Sequence, residues 1–249
     1  MSDVWQDRPD HGMRTGESDR MKAQGTGRGR RLGLTRDKVI AAAVTMIDRD
    51  GPDSFSLRKL ATELGVEAMS LYNHVPNKEA LLDGVAEALL AEVDFSASAT
   101  GPWQDRVRAH ATAFRATALR HPKAFPLVLT RPTKSPAALE TIRSALAGFT
   151  DLGLPPEEAV HALRSYAAYI VGTIMRELGH AISLGTWDPG HAQERIEEIT
   201  ATGDPLLAAA APYLAVGDHD AEFDYGIELL IAGLAARVEV PGHGGPCQA

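Results

Sequence analysis

Between Arg58 and Lys78 this 249-residue chain carries a set of side chains suited to gripping a polyanion. Arg58, Ser70, Tyr72, His74 and Lys78 all present N–H or O–H donors that suit phosphate oxygens. Ala68 and Met69, beside them, offer apolar contact to base edges such as thymine methyls. A merely solvated helical face would more usually carry Glu and Lys in i, i+4 pairs. Catalytic chemistry has no comparable group: the chain has no Gly-rich phosphate loop, Ser-x-Gly elbow, CxxC pair or HExxH.

Two Glu-x-x-His spacings, Glu158–His161 and Glu177–His180, raise a competing reading, a helical metalloprotein or enzyme built on a carboxylate bundle. Both fall on one expected helix. They stand about 28 Å apart along its axis and about 100° apart around it, so they cannot share a metal pair within one subunit. No metal, cofactor or catalytic residue is therefore expected. A further alternative is a dimeric scaffold whose DNA-reading motif is vestigial.

The elements that must position the donors are legible around them. Ser56 is a good N-cap for the helix it precedes. Leu57, Leu60, Ala61 and Leu64 then fall at i, i+3, i+4 and i+7, one buried face of two turns. Gly65 follows where a left-handed turn favours glycine. A second short helix over Glu67–Asn73 buries Leu71 and turns Ala68, Met69, Ser70 and Tyr72 outward or sideways. Pro76 stops it and Asn77 caps the next helix. Two crossed helices about a glycine turn match the helix-turn-helix, whose second helix reads base edges in the major groove. Upstream, Thr35 caps a helix with Val39, Ala42, Ala43, Met46 and Ile47 on its buried face, ended by Asp50-Gly51-Pro52.

At these residues the chain resembles the tetracycline-repressor (TetR) family of bacterial regulators. LRKLA, LYNHV and the following NKEALLD carry the resemblance, which runs from Leu34 to about Phe95. It implies an all-α protein with an N-terminal three-helix DNA-binding domain and a larger helical ligand-binding and dimerisation domain. It also implies repression as the mode of regulation.

The formal net charge is −8, unusual for a DNA binder, but the charge is unevenly spread. Arg20–Lys38 holds seven basic residues and one acidic; Ala80 to the end holds twelve basic and twenty-one acidic. A basic arm on an acidic body directs the N-terminal end toward phosphates. GTGRGRR, Gly25–Arg31, suits a minor groove. The single cysteine, Cys247, excludes an internal disulfide. Met1–Arg31 lacks the apolar core of a signal peptide, and no apolar run approaches the ~20 residues of a membrane span, so a cytoplasmic protein is expected.

The expected division is a disordered basic arm (1–33), the helix-turn-helix domain (34–80), a helical effector-binding and dimerisation domain (81–240) and a flexible tail (241–249). Every periodic segment after Trp103 reads as helix. Two long ones, 157–184 and 221–240, are apolar beyond a single stripe and so must be buried on two sides. One side suits the domain's own core, and the other a two-fold mate in a four-helix bundle. FDYGIELLIAGLAARV resembles the last helix of the family's dimerising C-terminal domain. Two heads joined this way would read a palindromic DNA operator with half-sites ~34–36 Å apart, or a multiple of that.

WQDRVRAHATAF and Thr130-Arg131-Pro132 resemble the ligand-pocket helix and hinge of the family's namesake. There a metal-chelated drug is held by a histidine just before the triplet and a glutamate on the long dimer helix. Here those positions fall at Leu127 and Arg176, with Glu177 displaced onto another face, so tetracycline–magnesium recognition is not expected. A mostly apolar small-molecule effector is expected instead. His110, Phe114, Thr130, Arg131 and Tyr169 are the candidate contacts, with Leu127 and Ile142 as walls.

Overall fold

A computed structural model describes residues 33–131, 135–179 and 189–239. The basic arm Gly25–Arg31, Pro132, His180 and the tail with Cys247 lie outside the described residues. Every regular element among the described residues is helical, and none of these helices is long and apolar enough to cross a membrane. The described residues from Thr35 onward belong to one compact unit.

The head is α1 (Arg36–Asp50), α2 (Leu57–Glu63) and α3 (Ala68–Tyr72), followed by α4 (Lys78–Ala91). The expected caps form: Thr35 accepts from Lys38 N, Ser56 from Lys59 N and Asn77 from Ala80 N. Val39, Ala43, Met46 and Ile47 are buried as expected, Ala42 is half-buried, and Ile40 and Val44 join the core. Gly84 lets α1 cross α4 closely: a β-carbon there would sit 2.8 Å from Ile40 Cδ1.

The body is α5 (Trp103–Arg120), α6 (Pro126–Thr130), α7 (Pro136–Thr150), α8 (Pro156–Glu177), α9 (Ala192–Thr200), α10 (Pro205–Leu214) and α11 (His219–Glu239). α5 runs through it, packing on α7, α8 and α11. Phe114 meets Phe125 edge-on at 5.1 Å between ring centroids, and Phe149 meets Tyr166 at 5.6 Å. α8 ends at Glu177, short of the expected 184, because Gly179 takes a left-handed φ of 74°. α4 packs on α1 in the head and on α6 and α7 in the body, so it is shared by both.

Candidate nucleic-acid interface and effector cavity

In the head the α2–α3 turn is closed by two backbone bonds, Val66 N–H to Ala61 O at 2.9 Å and Gly65 N–H to Thr62 O at 3.1 Å. This Schellman pair needs a left-handed residue, and Gly65 supplies it with φ 65°. α3 is thereby held across α2 with only Leu71 buried. Met69 is left 71% exposed and Tyr72 46% exposed, while Ala68, Ser70 and His74 are half-buried and Arg58 is exposed. An apolar side chain so open on a five-residue helix has nothing of its own fold to pack against. Lys78 behaves differently from expectation: its Nζ donates to the Phe55 carbonyl at 3.1 Å and sits 5.8 Å above the Phe55 ring centroid. One of its three donors is thus spent inside the head.

In the body, α5, α7 and α8 enclose a cavity of about 260 Å³. His110, Phe114, Ile142 and Ala145 line one side, and Leu163, Tyr166 and Ile170 the other. His110 is buried with both ring nitrogens engaged: Nδ1 lies 2.7 Å from Tyr166 Oη and Nε2 3.3 Å from Thr141 O. Only a proton on Nε2 lets that nitrogen donate to the carbonyl, which leaves Nδ1 to accept from tyrosine. Phe95 stacks on the imidazole at 4.6 Å. Burial pushes the His110 pKa down to about 4, so the ring is neutral, and it pushes the Tyr166 hydroxyl up.

Of the seven residues expected around an effector, His110, Phe114 and Ile142 line this cavity, and Leu127, Thr130, Arg131 and Tyr169 do not. Leu127 is buried in α6. The Thr130 hydroxyl donates back to Pro126 O within α6. Arg131 reaches across to α4, pairing with Glu79 at 2.8 Å and Asp83 at 2.5 Å. Tyr169 donates its hydroxyl to α11, with Glu222 O and Phe223 O at 2.8 and 2.9 Å. Sequence reasoning missed Tyr166, Ala145 and Arg164 in the cavity wall. The apolar surplus expected of α8 supplies Leu163, Ala167, Ile170 and Val171 to the same wall, a signal that periodicity alone does not separate from core packing.

Glu177 is held by Arg115 through two bonds of 2.7 and 2.8 Å, and Arg115 also takes Asp220 at 2.6 Å. Arg176 pairs with Glu222 at 2.5 Å. Among the described residues no group of three or more His, Cys, Asp or Glu side chains could hold a metal ion.

Head and body meet at a polar junction. His121, capping α5, places Nδ1 2.5 Å from Asp48 on α1 and Nε2 2.9 Å from Glu92 after α4. Asp48 also accepts from Ala124 N, and Lys123 donates to Arg49 O at 2.7 Å.

Comparison with known proteins bears on both halves. Residues 39–85 match the model of bacterial regulatory proteins of the tetR family, and residues 96–238 the tetracyclin repressor-like C-terminal domain. An HTH-type transcriptional regulator of Saccharopolyspora erythraea is 33% identical, over 82% of this chain and 85% of its own. The class D tetracycline repressor protein of Escherichia coli is 32% identical, over 82% of this chain and 91% of its own. Among solved structures, the TetR family protein ActR of Streptomyces coelicolor in complex with actinorhodin superposes with a TM-score of 0.71 at 26% identity, covering 83% of this chain and 99% of that one. With its reading head and its helical body both matched, the chain belongs to the tetracycline-repressor (TetR) family of bacterial transcriptional regulators.

Proposed function

We propose that the protein is a cytoplasmic homodimeric repressor that binds a palindromic operator and is released from it by a small, mostly apolar molecule. The observation that carries this reading is α3 itself, a helix that buries Leu71 alone and leaves Met69 and Tyr72 open. In this reading Met69 and Ala68 meet base edges, while Arg58, Ser70, Tyr72, His74 and the remaining donors of Lys78 take phosphates. The basic arm 1–33 adds charge, residues 34–80 read DNA, residues 81–240 bind effector and partner, and residues 241–249 form a tail.

The pairing surface is α8 with α11. Tyr225, Leu229 and Val238 stand exposed on α11, and a groove of about 380 Å³ between the two helices is lined by Leu154, His161, Leu230 and Leu234. Such a face is most readily covered by its own two-fold copy.

The cavity at His110 is the effector site, and its wall supports an apolar occupant. A ligand there presses on α7, which packs on α4, and α4 carries the reading head. Arg131, tying the end of α6 to Glu79 and Asp83, is the second link to α4. The ligand must prefer the DNA-incompetent arrangement, since only differential affinity shifts the equilibrium. Selection of bound fragments from random duplex DNA, with the stoichiometry read by sedimentation, tests the whole. A two-fold site occupied by two chains is expected, and a monomer with no sequence preference overturns it.

A further inference from the structure

The body is acidic, and its arginines are almost all neutralised. Arg106, Arg108, Arg115, Arg120, Arg131, Arg143, Arg176, Arg195 and Arg237 each lie within 3.8 Å of a carboxylate oxygen, as do Arg36 and Arg49 in the head. Among the described residues the exceptions are Arg58 and Arg164. Arg58 has an evident use on the DNA-facing head. Arg164 stands on α8, and its i±3 and i±4 neighbours are Val160, His161, Ala167 and Ala168, none of them a carboxylate.

Arg164 lines the cavity between α5, α7 and α8. The exposed members of that lining, Ile142, Arg164 and Ala167, mark its mouth. Inside, the polar atoms are already satisfied. The His110 ring is spent on Tyr166 and Thr141, and the Tyr166 hydroxyl lies 3.2 Å from Val107 O. A guest entering the cavity therefore finds apolar contact within and one uncommitted guanidinium at the entrance. No carboxylate lines the wall, so a cationic guest has no counter-charge.

We propose that the ligand of this cavity is a compact apolar acid, with its hydrocarbon body against Phe114, Ile142 and Ile170 and its carboxylate on Arg164. This rests on the cavity being the effector site. At about 260 Å³ it lies just below the ~300–1,000 Å³ of drug-sized pockets, which favours a small body over an extended one. An aromatic acid and a short fatty acid share this chemistry. The guanidinium offers a planar pair of donors that matches a carboxylate, and a charge-assisted bond is stronger than a neutral one.

Calorimetric titration of the full chain with 2-naphthoate, decanoate and methyl 2-naphthoate tests this, using wild type, Arg164→Gln and Ala167→Phe. Both positions are exposed in the single chain and outside its core, and sedimentation of each variant checks that the α8–α11 pairing is kept. At least one acid is expected to bind wild type, to lose about tenfold or more in affinity on Arg164→Gln, and to be blocked by Ala167→Phe. The ester is expected to bind wild type and Arg164→Gln alike. Preference for naphthoate or decanoate tells an aromatic from a fatty source. If acid and ester bind equally to wild type and Arg164→Gln but not to Ala167→Phe, the acid assignment fails and the cavity reading stands. If the probes bind but Ala167→Phe leaves them unaffected, the cavity reading fails with it. If neither acid binds wild type at millimolar concentration, the proposal is overturned.

Discussion

His121 Nδ1 lies 2.5 Å from Asp48 Oδ2, joining the last turn of the first body helix to the first helix of the head. The other ring nitrogen is 2.9 Å from Glu92, just past α4. A neutral imidazole carries one N–H and can donate to only one of these carboxylates; the cationic ring donates to both. One side chain thus ties α1, α4 and α5 together where head and body meet.

His121→Ala removes both bonds and leaves Asp48 only the Ala124 amide nearby. The expected cost is about 1–2 kcal/mol, since bonds to charged groups exceed neutral ones but this site is partly solvated. Scanning calorimetry should show Tm lowered by a few degrees. An unchanged Tm would mean the junction is held by Lys123 and apolar packing alone.

Buried His110 makes stability fall in acid. The unfolded chain takes up a proton below about 6.5, whereas the folded ring does so only near 4, because burial disfavours the cation. The unfolded state therefore binds more protons between these values, and stability declines as pH drops from about 6.5 to 4, levelling off below. The shift amounts to about 3 kcal/mol at most. Urea unfolding at pH 7 and pH 4.5 should show a smaller acid loss in His110→Gln than in wild type. Equal losses would place the acid sensitivity elsewhere.

Gly226 makes room for Tyr169. A β-carbon there would fall 2.2 Å from the Tyr169 hydroxyl oxygen, and that ring is anchored to two α11 carbonyls. Gly226→Ala should cost about 1–3 kcal/mol despite alanine's better helix propensity. In a Tyr169→Ala background the same change should be neutral or stabilising, and a double-mutant cycle measures the difference. Additive effects would show that the contact carries no energy.

On DNA, Arg58→Ala should weaken binding to all sequences alike and lower the salt slope by about one. Met69→Lys should instead alter which sequences are preferred. Fluorescence anisotropy on the selected site and on scrambled duplexes, across a range of salt, separates the two. A change of preference on Arg58→Ala would reverse the assignment of phosphate and base contacts.

Much of the head was legible because its determinants are local. Thr35, Ser56 and Asn77 cap helices within three residues of themselves, Gly65 makes a turn through its own φ, and Leu71 is the one apolar side chain of α3 that must face inward. Periodicity over a few turns reports such features directly. The family resemblance added the body's architecture, and with it His110, Phe114 and Ile142 in a shared cavity.

The rest depended on which surfaces meet. Lys78 turned to the Phe55 carbonyl, 23 residues away, and Arg131 to Glu79 and Asp83, about 50 away. Tyr169 left the cavity for α11 because Gly226, far along the chain, opens a slot for its ring. No spacing rule links His121 to Asp48, 73 residues upstream. Helices, caps and the reading head follow from neighbours in sequence. The partners of long polar side chains follow from helix packing, because a side chain with several rotatable bonds goes to whichever charge or carbonyl the tertiary fold brings within its reach.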